Sequence, residues 1–118
     1  DVMRVDDLPI VPQNMHLGEA IIRVSKGQLG LGVSVEDDNK VIGLITDGDI
    51  RRAMEKWQAK FFDHTVSDIM TRTPKLVLPT TKISEVQRIM HQHKIHTVLV
   101  VDEDQHLLGV VDHYACMI

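Results

Sequence analysis

This sequence predicts an α+β fold built twice: two β-α-β-β-α units packed about a pseudo-twofold axis. Three observations carry the prediction. Offsetting the chain by 66 residues matches Val11 to Ile45, without a gap, to Val77 to Val111 in apolar class. Each half holds one stretch whose apolar residues recur at helical spacing. Each such stretch is followed by two short apolar runs with an acidic turn between them, the pattern of a hairpin.

The elements follow in order. Asp1-Val2-Met3 opens the first unit, matched with one residue of slippage by Asp68-Ile69-Met70. Asn14 and Thr80 stand at equivalent positions and suit helix N-caps. After Asn14, Leu17, Ala20, Ile21 and Val24 form a helical stripe; after Thr80, Ile83, Val86 and Met90 do the same, widened by Ile89. Leu17-Gly18-Glu19-Ala20 falls on Ile83-Ser84-Glu85-Val86. Gly27 reads as the first helix's C-terminal residue. Strands are predicted at Leu31 to Val35 and Thr97 to Val101, then at Val41 to Ile45 and Leu107 to Val111. A second helix runs from Asp47 to about Trp57; its counterpart after Asp112 has only six residues left and is short or cut. The predicted boundaries are repeat 1 at residues 1–57, a linker at 58–67 carrying Phe61 and Phe62, and repeat 2 at 68–118. Two units packing sheet to sheet would bury the faces that short strands cannot cover alone.

Composition narrows the function. Of 118 residues, 43% are hydrophobic and 25% charged, and the net charge is −4. That balance excludes a general nucleic-acid or anionic-membrane binder, which carries a basic face. Aromatics are 3%, Trp57, Phe61, Phe62 and Tyr114, too few for base-stacking platforms. Cys116 is the single cysteine, so no internal disulfide forms, and a reducing, cytoplasmic setting is expected. No apolar run approaches the ~18 residues of a membrane span. The chain begins at Asp1 and is expected to be a piece of a longer protein.

The duplication, the Asp-Val-Met and Asp-Ile-Met starts, and Gly43-Leu44-Ile45-Thr46-Asp47-Gly48-Asp49-Ile50 together resemble a tandem cystathionine β-synthase (CBS) domain pair. The last stretch matches that family's glycine, two apolar residues, Thr/Ser, two residues, Asp pattern. Lys94-Ile95-His96 before the second hairpin also resembles family usage. A finer resemblance, in Ile45 to Arg52, is to the C-terminal CBS pair of bacterial D-arabinose 5-phosphate isomerases, which carry an N-terminal sugar isomerase domain and feed synthesis of Kdo, a sugar of lipopolysaccharide and capsule. The resemblance implies a regulatory module with no catalytic residue of its own on a parent aldose-ketose isomerase. It implies a nucleotide or nucleotide-sugar effector in the cleft between repeats, an adenine nucleotide or a CMP-sugar such as CMP-Kdo, and no required cofactor. It also implies pairing into homodimers, with a parent tetramer as one outcome. The alternatives are a structural dimerisation module without ligand, or a CBS pair of another parent such as a transporter or nucleotide dehydrogenase.

Thr46-x-x-Asp49 leaves two readings open. As a capping box, Thr46 accepts from the Asp49 amide and Asp49 reaches back to the Thr46 amide. As a ligand site, the same helix start offers amides and a positive dipole end to phosphate, Thr46 donates to it, and Asp49 takes a ribose diol. The expected site is Thr46, Asp47, Gly48 and Asp49, with walls that the resemblance carries onto Pro74, Lys75, His96, Thr97 and Leu99 of the second repeat. Lys75 and His96 would balance ligand charge, or be a solvated linker residue and a strand-end surface residue. At the equivalent second-repeat positions stand Asp112 and Ala115, so one ligand per chain is expected. His91, His93 and His96 tempt as metal ligands, but His91 and His93 lie two apart on a helix and diverge, so no metal site is expected. His113 and Cys116 have nothing to order them for catalysis. Arg51 and Arg52 read as solvated, as interface residues, or with one facing the ligand.

Overall fold

The computed structural model describes residues 3–112. The order of elements is β1 (Met3–Arg4), α1 (Leu17–Gly27), β2 (Leu31–Val35), β3 (Val41–Thr46), α2 (Asp47–Trp57), β4 (Leu76–Val77), α3 (Ile83–His93), β5 (Thr97–Val101) and β6 (Leu107–Asp112). Two 3-10 segments, Gln58–Asp63 and Val66–Asp68, lie between α2 and β4. The three helices and both hairpins lie where they were expected, but the stretch 68–70 that matches the start of the chain forms no strand, and β4 lies further on. The helix expected after Asp112 lies outside the described residues, as does Ala115.

The duplication holds to the residue. α1 and α3, β2 and β5, and β3 and β6 begin and end 66 positions apart. Both hairpins are antiparallel, and both carry a register irregularity at the matching place, Ser34/Val35 and Val100/Val101. Both helices end on a left-handed residue, Gln28 and Lys94, and both hairpin turns use one, Asn39 and Gln105.

The chain folds as two compact units, 9–74 and 1–8 with 75–118. These boundaries differ from the repeat boundaries at 57 and 67, because opening strands are exchanged. β1 opens the first repeat, yet it pairs antiparallel with β6, Met3 opposite Val111 and Arg4 opposite Val110. Conversely Thr71 opposes Leu44 through two backbone bonds of 3.0 and 2.8 Å. The second unit's sheet thus runs β1-β6-β5-β4, with β4 parallel to β5. The first unit follows the same order with single-residue edges: Thr71, β3, β2, then Ile10 parallel to Val33.

Each unit has its own core. Val11, Leu17, Ala20, Val24, Ile45, Ile50, Ala53, Phe61, Val66 and Met70 cluster in the first. Val77, Val86, Met90, Val98, Val100 and Val111 cluster in the second, with Met3, Ile89 and Ile95 packed against them. Residues 58–67 are therefore more than a linker: Phe61 is 1% exposed inside the first core. Phe62 meets it edge-on at 5.2 Å and stays exposed. Trp57 stacks on His64, ring centroids 3.6 Å apart and 8° from parallel, and His64 Nδ1 lies 3.0 Å from Asp68 Oδ2.

Two local expectations are corrected. Asn14 and Thr80 are not N-caps; they sit in the turns Pro12–Met15 and Leu78–Thr81, and His16 and Lys82 occupy the caps without side-chain bonds. At α1 the Leu17 amide is taken by the His64 carbonyl, so a side-chain cap is not needed there. Gly27 closes α1 as expected, just ahead of the left-handed Gln28. Its role is spatial, since a Cβ there would stand 2.7 Å from Pro9 Cβ. Ile83, expected on the buried stripe, is 40% exposed.

Candidate functional site

The motif residues sit where β3 hands over to α2. β3 ends at Thr46, which is extended (φ −118°, ψ 166°) and caps the helix. Thr46 Oγ1 accepts from the Asp49 amide at 3.1 Å, and Asp49 Oδ2 accepts from the Thr46 amide at 3.0 Å. The capping box is therefore formed. Asp49 Oδ1 accepts from Arg52 Nη2 at 2.7 Å, so both carboxylate oxygens are engaged. The Asp47 amide donates to the Gly30 carbonyl at 3.0 Å. Gly30 takes φ +70°, and a Cβ on it would stand 3.3 Å from Asp47 Oδ2. A helix start presents four amides without intrahelical partners. Here those of Thr46, Asp47 and Asp49 are occupied, and among the described residues no hydrogen bond takes that of Gly48.

Asp47 is exposed, and Thr46, Gly48 and Asp49 are half-buried. This corner can therefore offer water-facing groups of both signs at a helix's positive end: a hydroxyl, an open amide, a carboxylate and a guanidinium.

The remaining expected residues fall as follows. Pro74 ends the first unit, half-buried. Lys75, His96, Thr97 and Leu99 belong to the second. There Lys75 precedes β4, His96 precedes β5 and Thr97 begins it, and β5 runs parallel to β4, so all three share one end of that sheet. Thr97 lies opposite Asp112 at the end of β6, as Leu31 lies opposite Thr46. Lys75 and His96 are exposed, and Leu99 is wholly buried. His91 and His93 stand exposed on the last turn of α3.

Two surface depressions lie elsewhere. One, of about 790 Å³, is rimmed by Glu36, Asp37 and Asp38 with Asn14, Thr65 and Ser67. Another, of about 500 Å³, lies over Val77, Glu85, Asp102 and Glu103. Neither includes a motif residue, and their carboxylate rims oppose an anionic ligand.

Outside the motif, the Thr65 amide and then His64 hold Asp68 below the usual carboxylate range. Asp102 is lowered chiefly by the His106 amide. Sequence reasoning missed both His–Asp pairs, which the four-residue spacings His64/Asp68 and Asp102/His106 could have suggested.

A duplicated sheet-and-helix unit with exchanged opening strands, and a Thr-x-x-Asp helix start after its hairpin, defines a class, and the chain belongs to it: the CBS domain family, whose model matches residues 1–56 and 66–116. Among curated relatives, arabinose 5-phosphate isomerase KpsF of Escherichia coli O6:H1 is 36% identical over 112 residues, covering 94% of this chain and 33% of that protein. A probable arabinose 5-phosphate isomerase of Haemophilus influenzae is 30% identical over 105 residues, covering 89% and 31%. The chain thus spans about a third of the length of the curated relatives it matches. Among solved structures, CBSX2, of Arabidopsis thaliana, in complex with AMP superposes with a TM-score of 0.86 at 21% identity, over 99% of this chain and 90% of that one. That likeness concerns the fold. No helix among the described residues is long and apolar enough to cross a membrane.

Proposed function

We propose that the chain is the effector-sensing CBS pair of an arabinose 5-phosphate isomerase of Kdo synthesis, and that a nucleotide or nucleotide-sugar bound at the α2 N-terminus biases the parent enzyme. The observation that carries this reading is the Thr46-to-Asp49 corner on a chain that matches those isomerases over nearly its whole length. Thr46 and the Gly48 amide would meet phosphate, and Asp49 would accept a ribose diol. Pro74, Lys75, His96, Thr97 and Leu99 are proposed as further ligand-binding residues, with Leu99 supplying an apolar backing only. Adenine nucleotides are supported by the CBS pair solved with AMP; a CMP-sugar is supported by feedback logic in the proposed pathway. Asp112 would repel a phosphate at the equivalent place. Two like unit charges about 4 Å apart at an effective dielectric of 20 repel by roughly 4 kcal/mol, so one ligand per chain is proposed. The proposed assembly is a cytoplasmic homodimer.

A second reading has its own observation: the capping box is complete, which is what a purely structural Thr46/Asp49 would show. Thermal shift separates the two. A ligand at 100 times its dissociation constant adds about 2.7 kcal/mol of stability. AMP, ATP, CMP or CMP-Kdo should raise the melting temperature of the wild type but not of Asp49→Ala. If none of them moves the wild type, the structural reading stands.

A further inference from the structure

The corner contains a side chain that the motif does not name. Arg52 stands one turn into α2, and its side chain is 66% exposed while that of Asp49 is 20% exposed. Its guanidinium does two things at once. Nη2 bonds Asp49 Oδ1 at 2.7 Å. The group also lies against Gly48: a Cβ there would stand 3.1 Å from Nη1, 3.5 Å from Nη2 and 3.6 Å from Cζ. These distances set the Nη edge of the fork, rather than its face, beside the place where a side chain would be. A side chain at position 48 would displace the guanidinium by a few tenths of an ångström. Gly48 is also the residue whose amide no other described group takes.

We infer that Arg52 sets the charge preference of this site, selecting ligands that carry an anionic group beside a vicinal diol. The inference rests on the nucleotide reading and deepens it. Without Arg52, Thr46 and the Gly48 amide would be flanked only by the acidic residues Asp47 and Asp49, and the Asp49 carboxylate, inside the capping box itself, would repel phosphate. With it, that carboxylate is neutralised at contact distance, and the guanidinium keeps donors to spare, since it carries five N–H groups in a rigid fork. A diol arriving at Asp49 takes over the oxygen that Arg52 holds. The released guanidinium then needs a new acceptor, and a phosphate at the Gly48 amide is placed to provide one. A neutral nucleoside displaces Arg52 without offering that acceptor. Arg51, its neighbour, bonds neither Asp49 nor Gly48 among the described residues and serves as the control.

The test is calorimetric titration of the 118-residue chain with two pairs of probes, AMP with adenosine and CMP with cytidine. In Arg52→Gln the nucleotide of the binding pair should weaken at least tenfold, the scale of a lost charge-assisted bond. Its nucleoside should stay within about twofold or tighten, because nothing then competes for Asp49. Arg52→Lys should fall between, and Arg51→Gln should match the wild type. Equal weakening of nucleotide and nucleoside, or no weakening of either, overturns the role of Arg52 while the nucleotide reading survives. Failure of the wild type to bind any of the four probes overturns the nucleotide reading, and the role of Arg52 with it.

Discussion

Gly43 and Gly109 are one position seen twice, and alanine at each should be destabilising for a reason visible in the coordinates. Neither has a positive φ, so backbone strain is not at stake. What matters is space. A Cβ on Gly43 would stand 2.8 Å from the Thr71 carbonyl oxygen and 2.9 Å from Met70 Sδ. On Gly109 it would stand 2.5 Å from Met3 Cγ and 2.7 Å from the Arg4 carbonyl oxygen. In both cases a backbone atom must give way, and with it the exchanged strand. Overpacking of this kind typically costs about 1–3 kcal/mol. The two Leu44–Thr71 bonds put about 1 kcal/mol each at risk. Against this, alanine restricts the unfolded chain and returns about 0.4–1 kcal/mol. Gly43→Ala should therefore cost about 2 kcal/mol, since Met70 and Thr71 are held on both sides. Gly109→Ala should cost about 1–2 kcal/mol, capped by the energy of peeling off two-residue β1. Urea denaturation measures both, and the melting temperature should fall about 4 °C per kcal/mol. In a chain lacking residues 1–7, Gly109→Ala should become neutral or stabilising. Alanine variants as stable as the wild type, or a Gly109→Ala cost that persists without residues 1–7, would refute the packing argument.

Three further outcomes are expected. Thr46→Val removes the acceptor for the Asp49 amide and should cost about 0.5–2 kcal/mol in thermal denaturation. His64→Ala removes the ring stacked on Trp57, costing about 0.5–1.5 kcal/mol, and the emission of the single tryptophan should shift to longer wavelength as the indole gains water. Asp68 titrates lower folded than unfolded, so its contribution is present above the unfolded value and lost as pH falls through the folded one. Stability should therefore decline below about pH 4, and Asp68→Asn should flatten that limb of the acid-denaturation profile.

The spans of α1, α3 and the two hairpins were legible because each is written twice, and agreement between copies removes most of the ambiguity of a short apolar run. Exchange of the opening strands was not. Met3 and Met70 look alike in pattern, and pairing across the repeats depends on the space that Gly109 and Gly43 leave, which no period reports. The caps misled because the Leu17 amide finds its acceptor in His64, 47 residues away. Residues 58–67 looked like a linker because 3-10 turns have no apolar period to read, although Phe61 signals a buried side chain. At the site, the Thr46/Asp49 pair was legible in full, since a capping box is a local motif. Arg52 was visible as a charge, but its seat beside Gly48 follows from a contact rather than a spacing.

The central claim is that one nucleotide-type ligand binds per chain, at the first repeat's helix start. Its most direct test is the stoichiometry of AMP and of CMP-Kdo in isothermal titration, repeated with Asp49→Ala and Asp112→Ala. The account predicts one equivalent per chain for the ligand that binds, lost in Asp49→Ala and kept in Asp112→Ala. Two equivalents, or a single one that survives Asp49→Ala and disappears in Asp112→Ala, would contradict it.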